Sequence, residues 1–217
     1  MKRVIVAGAS GLIGRELLNL LLENDKIDEV VALVRRPLPV SNLKLIQILT
    51  SFDSLAEIKN DLKGDALYCC LGTTKNKTPN EADYRKVDHD YPVALAKLAS
   101  ENQVSQFHLI SALGANPKSG IFYNKLKGET ERDIKKIPFR AIYIYQPSLL
   151  TGDRKENRPI EKLAIFLMEI INPLLAGSLR KYKSIQAITV AKAMINQTFK
   201  YEEGIHTYPS DTITQLA

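Results

Sequence analysis

Tyr123 and Lys127 form a Tyr-x-x-x-Lys pair, and on a helix an i,i+4 spacing brings both side chains to one face. A phenol with an ammonium beside it can do acid–base work. Free tyrosine titrates near ~10, and each pH unit is worth ~1.36 kcal/mol. An ammonium about 4 Å away at an effective dielectric of about 20 contributes about 4 kcal/mol, enough to draw the phenol toward neutrality, where proton transfer is efficient. Ser111 ends an apolar run upstream, where its hydroxyl can hold a carbonyl oxygen. The chain holds nine tyrosines and 30 lysines and arginines, so the pair gains weight only beside a second signal.

That signal is Val4-Ile5-Val6-Ala7-Gly8-Ala9-Ser10-Gly11-Leu12-Ile13-Gly14, a buried-strand pattern that breaks into a glycine turn and opens a helix. Three glycines at GxxGxxG spacing allow a tight turn, close approach of a pyrophosphate and close packing of the helix on the sheet. Gly8, Ser10, Gly11, Leu12, Ile13 and Gly14 are therefore the candidate phosphate-loop contacts, with the free N–H groups of the helix start aimed at anionic oxygens. About 20 residues beyond the glycines an NAD site usually carries an acid for the ribose 2′-hydroxyl. Here Val34-Arg35-Arg36-Pro37 stands instead. A carboxylate would repel a 2′-phosphate and a guanidinium would bind it, so Arg35 and Arg36 predict NADP(H) in preference to NAD(H).

These residues need a sheet to bring them together. Apolar runs at Arg3 to Ala7, Glu29 to Val34, Leu43 to Leu49, Ala66 to Leu71, Gln106 to Ser111 and Arg140 to Tyr145 read as strands. Amphipathic stretches at Leu12 to Asn24, Leu55 to Asn60, Glu81 to Asn102 and Ile121 to Lys136 read as helices between them. Repeated βαβ units of this kind predict an α/β fold, a Rossmann-like doubly wound parallel sheet with helices on both faces. After Tyr145 the alternation fails. Pro147, Gly152 and Pro159 punctuate a polar loop, an apolar helix is expected over Ile160 to Leu175 with Phe166 and Met168 in its stripe, and another helix near Thr189 to Lys200. The expectation is one domain over 1–217, with a small C-terminal substrate lobe built mainly from 147–187 and 201–217.

Composition sets outer limits. At 217 residues, 45% hydrophobic and 25% charged, the chain is of ordinary globular make-up. No apolar segment reaches membrane-spanning length and no signal-peptide pattern is seen, which predicts a soluble cytoplasmic protein. Cys69 and Cys70 are adjacent on a central strand, face opposite ways and fit a reduced compartment. A net charge of +6 admits an anionic partner, which a phosphorylated cofactor supplies; no motif points to nucleic acid. Arg154, Lys155, Arg158, Arg180, Lys181 and Lys183 read as solvated loop charges. His108 reads as a packed core residue, His89 and His206 lack metal-like neighbours, and no metal site is expected. Tyr143 and Tyr145 read as packing.

Through Gly8 to Gly14, Ser111 and Tyr123-Asn124-Lys125-Leu126-Lys127 the chain resembles the short-chain dehydrogenase/reductase superfamily. More narrowly it is similar to the atypical branch with the Tat-interacting oxidoreductase-like family and its bacterial relatives. That likeness is carried by Cys69-Cys70-Leu71-Gly72-Thr73-Thr74, Val87-Asp88-His89-Asp90-Tyr91, Lys127-Gly128-Glu129, Gly152-Asp153-Arg154 and residues 177–185. The resemblance implies a nicotinamide dinucleotide site with Ser111, Tyr123 and Lys127 at its reactive end. It implies that Leu71, Gly72 and Thr73 line the cofactor, and that Asp88 takes the place of a helix asparagine of many relatives. Two departures stand out: Ser51-Phe52 where relatives often have Asp-Phe near the adenine, and Gln146-Pro147 where they often have Arg-Pro. The expected reaction is NADP(H)-dependent hydride transfer to or from a small carbonyl or alcohol, with a homodimer as the default assembly. The competing expectation is a non-catalytic NADP(H)-sensing scaffold acting through protein partners.

Overall fold

The computed structural model describes residues 2–152, 175, 177–200 and 202–217. Seven parallel strands form one sheet in the order β3-β2-β1-β4-β5-β6-β9. They are β1 (Arg3–Ala7), β2 (Glu29–Val34), β3 (Leu45–Leu49), β4 (Ala66–Cys69), β5 (Gln106–Ile110), β6 (Ala141–Gln146) and β9 (Gly204–Pro209). A separate pair joins β7 (Leu150–Thr151) to β8 (Ile185–Gln186). The doubly wound parallel architecture expected from the sequence is the observed one. The inner strands β4 and β5 are buried along their whole length, as strands covered on both faces must be.

Each face packs on helices. Alternate residues of β1, Val4 and Val6, join α1 (Leu12–Glu23) and α5 (Ala187–Thr198) in one core layer. Ile5 and Ala7 face the other layer, with a 3-10 segment (Phe52–Asp61), α3 (Tyr91–Glu101) and α4 (Phe122–Ile134). Cys69 lies in this second layer and Cys70 packs against the first, so the adjacent cysteines point apart and both are free. The sheet changes winding direction between β1 and β4, which opens a crevice at their carboxyl ends.

The sequence reading departs from the structure in the tail and in the long helix. Residues 204–209 were expected in the lobe, but β9 pairs along β6 as the seventh strand, and α6 (Ser210–Leu216) follows it, with Ile213 in the core. A half-exposed edge strand lacks the continuous apolar run that marks its inner neighbours. The helix expected over Ile160 to Leu175 and the cations Arg154, Lys155 and Arg158 lie outside the described residues, apart from Leu175.

The expected helix Glu81 to Asn102 keeps its direction but contains a fault. It is made of α2 (Glu81–Arg85), a π-helical turn (Lys86–Asp90) and α3. Pro92 has no N–H to give to the carbonyl of Asp88 four residues back, and the Tyr91 N–H reaches back to Lys86 instead. The freed Asp88 carbonyl lies 2.9 Å from the hydroxyl of Thr130 on α4. One proline thus sets the register of the turn.

Candidate active site

The glycine loop is built as a cradle. Gly8 sits at φ +86°, and a Cβ there would fall 2.6 Å from the Cys70 carbonyl oxygen; a Cβ on Gly14 would fall 2.1 Å from the carbonyl oxygen of Gly8. Loop, helix and β4 end are therefore in backbone contact. Gly11 caps α1 without a side-chain bond, and the first turn holds no acidic residue, so the helix start is left open to an anion.

From this loop a groove of about 820 Å³ runs across the strand ends. Gly8, Ser10 and Gly11 line it beside Arg35 and Arg36 after β2, and Leu71, Gly72 and Thr73 after β4. Both arginines are exposed, and neither pairs with a carboxylate among the described residues. Of the other lining residues, Asp53, Lys77 and Thr78 escaped the sequence reading, whereas Phe52 and Tyr91 stood in its motifs. Phe52 and Tyr91 meet at 5.7 Å between ring centroids, and the Tyr91 phenol donates to Asp53 at 2.8 Å. Burial and that carboxylate push the phenol up to about 12, so Tyr91 remains a donor. Tyr91 closes the motif Val87 to Tyr91, which was the available signal. Burial pushes both neighbouring thiols up, Cys69 to about 12, which leaves them unreactive.

Ser111, Tyr123 and Lys127 are not among the residues lining the groove, but Lys127 stands behind its β4 end. A Cβ on Gly72 would stand 3.6 Å from Asp88 Oδ1 and 3.8 Å from Lys127 Nζ, so only a bare Cα separates the groove from these two groups. Lys127 Nζ lies 2.8 Å from Asp88 Oδ1, with side-chain exposures of 7% and 1%. Thr73 donates its backbone N–H to the other oxygen, Asp88 Oδ2, at 2.8 Å. Burial opposes the charge on Lys127, but Asp88, with the phenols of Tyr123 and Tyr84, outweighs it and raises its proton affinity. The lone ammonium expected to act on the phenol is instead half of an ion pair. That is a correction to the sequence argument.

Tyr123 lies in the first turn of α4, one turn before Lys127, and is 39% exposed. Its phenol is close enough to Tyr84 and Lys127 to influence both electrostatically. Tyr84 is buried and donates to the Thr73 carbonyl at 3.1 Å. Ser111 follows β5 as expected, but its hydroxyl is buried and donates to Glu131 Oε1 on α4 at 2.5 Å. Gln146 Nε2 donates to the same oxygen at 2.8 Å, and Lys135 Nζ is 3.7 Å from the other. In this geometry the hydroxyl proton is spent on Glu131, and a substrate carbonyl would have to displace that bond. Glu131 had no mark in the sequence beyond a place on the inner face of α4.

The histidines are structural. His108 is fully buried among Tyr68, Tyr143 and Tyr145, bonds to the Tyr145 hydroxyl at 3.1 Å, and is pushed down to about 3 by burial, hence neutral. His89 bridges Asp90 and Asp133 at 2.7 and 3.2 Å, tying the π turn to α4. Among the described residues no cluster of His, Cys, Asp and Glu could hold a metal ion.

Comparison with known proteins places the family and the fold. A family described as NAD(P)H-binding matches residues 8–140. Rat protein HTATIP2 is 32% identical over 200 residues, covering 90% of this chain and 80% of that protein. Protein FMP52, mitochondrial, of Kluyveromyces lactis is 37% identical over 153 residues, covering 69% and 68%. Among solved structures, MoeE5 in complex with UDP-glucuronic acid and NAD superposes with a TM-score of 0.72 at 18% identity, covering 94% of this chain and 75% of that one. The Bordetella bronchiseptica enzyme WbmH with NAD+ gives 0.70 at 17% identity, covering 99% and 78%. The expectation of a cytoplasmic protein is overturned, because the fungal FMP52 relatives are named mitochondrial. No helix among the described residues is long and apolar enough to cross a membrane.

Proposed function

Given that the chain belongs to the NAD(P)H-binding family matched over residues 8–140, we propose that it is an NADP(H)-dependent oxidoreductase acting on a small carbonyl or alcohol substrate. The observation that carries this reading is one groove lined by the glycine cradle, by Arg35 and Arg36, and by Leu71, Gly72 and Thr73. The residues fit such a cofactor. A Cβ at Gly8 or Gly14 would collide with backbone, and the open start of α1 suits a pyrophosphate. Arg35 and Arg36 would hold a 2′-phosphate, and Leu71, Gly72 and Thr73 the nicotinamide half. Such a cofactor, when bound, would supply the hydride chemistry. Tyr123 then gives its Oη proton to the developing alkoxide, or takes it back in the reverse direction. Lys127, held by Asp88, would reach the ribose of a bound cofactor through the gap at Gly72.

The test is a calorimetric titration with NADPH and NADH, followed by a carbonyl screen. R35A/R36A should weaken NADPH at least tenfold, as loss of charge-assisted bonds of about 1.5–3 kcal/mol requires, and leave NADH within about twofold. Equal affinity of the unaltered protein for both dinucleotides would remove the NADP(H) assignment. Y123F should abolish turnover without weakening binding. A second reading, a non-catalytic NADP(H) sensor, is favoured by one observation, the engagement of Ser111 with Glu131. Tight NADPH binding with no turnover of any carbonyl in the screen selects it.

A further inference from the structure

Going beyond the oxidoreductase reading, we infer that the outer edge of β3 is a self-association surface. Two copies of this chain pair their β3 edges antiparallel about a two-fold axis at Gln47, joining two seven-stranded sheets into one. The occupant is a second copy because the strand reads the same in both directions, Leu45-Ile46-Gln47-Ile48-Leu49.

Strand β3 ends the sheet, with β2 beside it and no strand beyond. The Val30 N–H donates to the Lys44 carbonyl and the Thr50 N–H to the Val34 carbonyl. In a parallel ladder that phase turns the N–H and C=O of Ile46 and Ile48 toward β2, and those of Leu45, Gln47 and Leu49 outward. Of the outward groups, the Leu45 N–H is taken by the Asn42 carbonyl. Both sides of the edge are open: Ile46, beside Val31 of the second core layer, is 41% exposed, and Leu49, beside Val34 of the first, is 60% exposed. Natural edges are blunted by charge, proline or a bulge. The opposite edge, β9, follows Glu202 and Glu203 and ends on Pro209. Strand β3 lacks such protection, having no proline and an unbroken register with β2. Between Arg36 and Asp53 the chain carries one charge, Lys44, whose ammonium donates to the Asn24 carbonyl at 2.9 Å. Two copies of net charge +6 can therefore meet here without repulsion at the contact.

The two-fold register satisfies what the edge presents. Pairing centred on Gln47 sets each Gln47 N–H on the Gln47 carbonyl of the other copy and each Leu49 N–H on the opposing Leu45 carbonyl, and it leaves the occupied Leu45 N–H out of the ladder. Directly opposed residues share a face, so Ile46 meets Ile48 on one face of the joined sheet and Leu45 meets Leu49 on the other. A slip of one residue would set outward-turned groups against inward-turned ones. A strand of five residues is about 17 Å long, and with the fully exposed Leu43 beside it buries less than the roughly 800 Å² per partner of a standard interface. A weak dimer follows, with a dissociation constant in the micromolar range. Because the halves run in opposite directions, the two crevices open at opposite ends of the joined sheet, and each copy keeps its own groove.

The test is sedimentation equilibrium of the full chain from about 1 to about 300 µM, with no dinucleotide or substrate added. The weight-average mass should climb from one chain toward two. L49K and I46K each put a charge on the edge at an exposed position, where the fold should hold, and each should raise the dissociation constant about tenfold or more. I205K, on the opposite edge, should leave it within about twofold. The register is read by mild oxidation of an equimolar mixture of L45C and L49C. Opposed Cα atoms about 5.5 Å apart lie within disulfide reach, so the mixture should yield a covalent dimer. Neither variant alone should do so, since its two sulfurs would stand about 13 Å apart along the strands. A chain that stays monomeric throughout, a dimer indifferent to L49K and I46K, assembly lost in I205K or growing past two copies, or a mixture that cross-links no better than its components would overturn the inference.

Discussion

Lys127→Met is the perturbation that weighs most on the buried pair. The side chains of Lys127 and Asp88 are 7% and 1% exposed and 2.8 Å apart, so neither is discounted by solvent screening. Removing the lysine strands a carboxylate whose remaining partner is the Thr73 N–H. Breaking a buried pair from one side costs about 3–5 kcal/mol, which for a chain of this length lowers the melting temperature by roughly 6 to 20 °C. The lysine's proton affinity is raised in the folded state. Its contribution is therefore complete below its ordinary value of 10.5 and is lost only as pH rises through the raised one, so melts at about pH 8 report it in full. Calorimetry or urea melts of K127M and K127M/D88N provide the assay. The single variant should lose at least about 3 kcal/mol, and the double should recover half or more. A single-variant loss under about 1 kcal/mol, or a double less stable than the single, would refute the picture of a desolvated pair whose members depend on each other.

Gly14→Ala should weaken NADPH binding at least tenfold and cost about 1–3 kcal/mol of stability, because its Cβ would sit 2.1 Å from the Gly8 carbonyl oxygen; unaltered affinity in a dinucleotide titration would show that the loop is not the cradle. Gly72→Ala is the opposite case. Its Cβ has ordinary room at 3.6 Å, so the fold should hold within about 0.5 kcal/mol while NADPH affinity drops as the gap before Lys127 closes; loss of both together would point to packing alone. His108 is held at about 3, below its ordinary 6.5, so its neutral form stabilises fully above 6.5 and less as pH falls toward 3. At about pH 5 that component amounts to a loss of about 2 kcal/mol, which urea melts at neutral and acid pH should find in the unaltered protein and not in His108→Gln.

Much of this was legible in the chain because parallel strands covered on both faces leave continuous apolar runs. Val30-Val31-Ala32-Leu33-Val34 and Phe107 to Ile110 mark themselves in that way, and the glycine loop is fixed by its place between β1 and α1. The rest was hidden for specific reasons. A helical period read over Glu81 to Asn102 is insensitive to a slip of one residue, although Pro92 was there to mark the π turn. The segment Leu55 to Asn60 has helical spacing and forms part of a 3-10 segment. Strand β9 is an edge, with Ile205 half exposed, and its tyrosine and histidine rings are recruited by Tyr143 only in three dimensions. The partners of the candidate residues were the least legible part, since nothing in the sequence ties Asp88 to Lys127 or Glu131 to Ser111.

The strand order has a consequence for biosynthesis. The strand nearest the amino end, β1, lies in the middle of the sheet with β2 on one side and β4 on the other, and β6 gains its outer neighbour only from residues 204–209. A nascent chain therefore carries Val4-Ile5-Val6-Ala7 with one flank unpaired until residue 69 has left the ribosome, and the far flank of the sheet closes last of all. Such distant pairings fold slowly and leave sticky edges in the meantime, so chaperone dependence should fall sharply in release series once the final parallel strand has emerged.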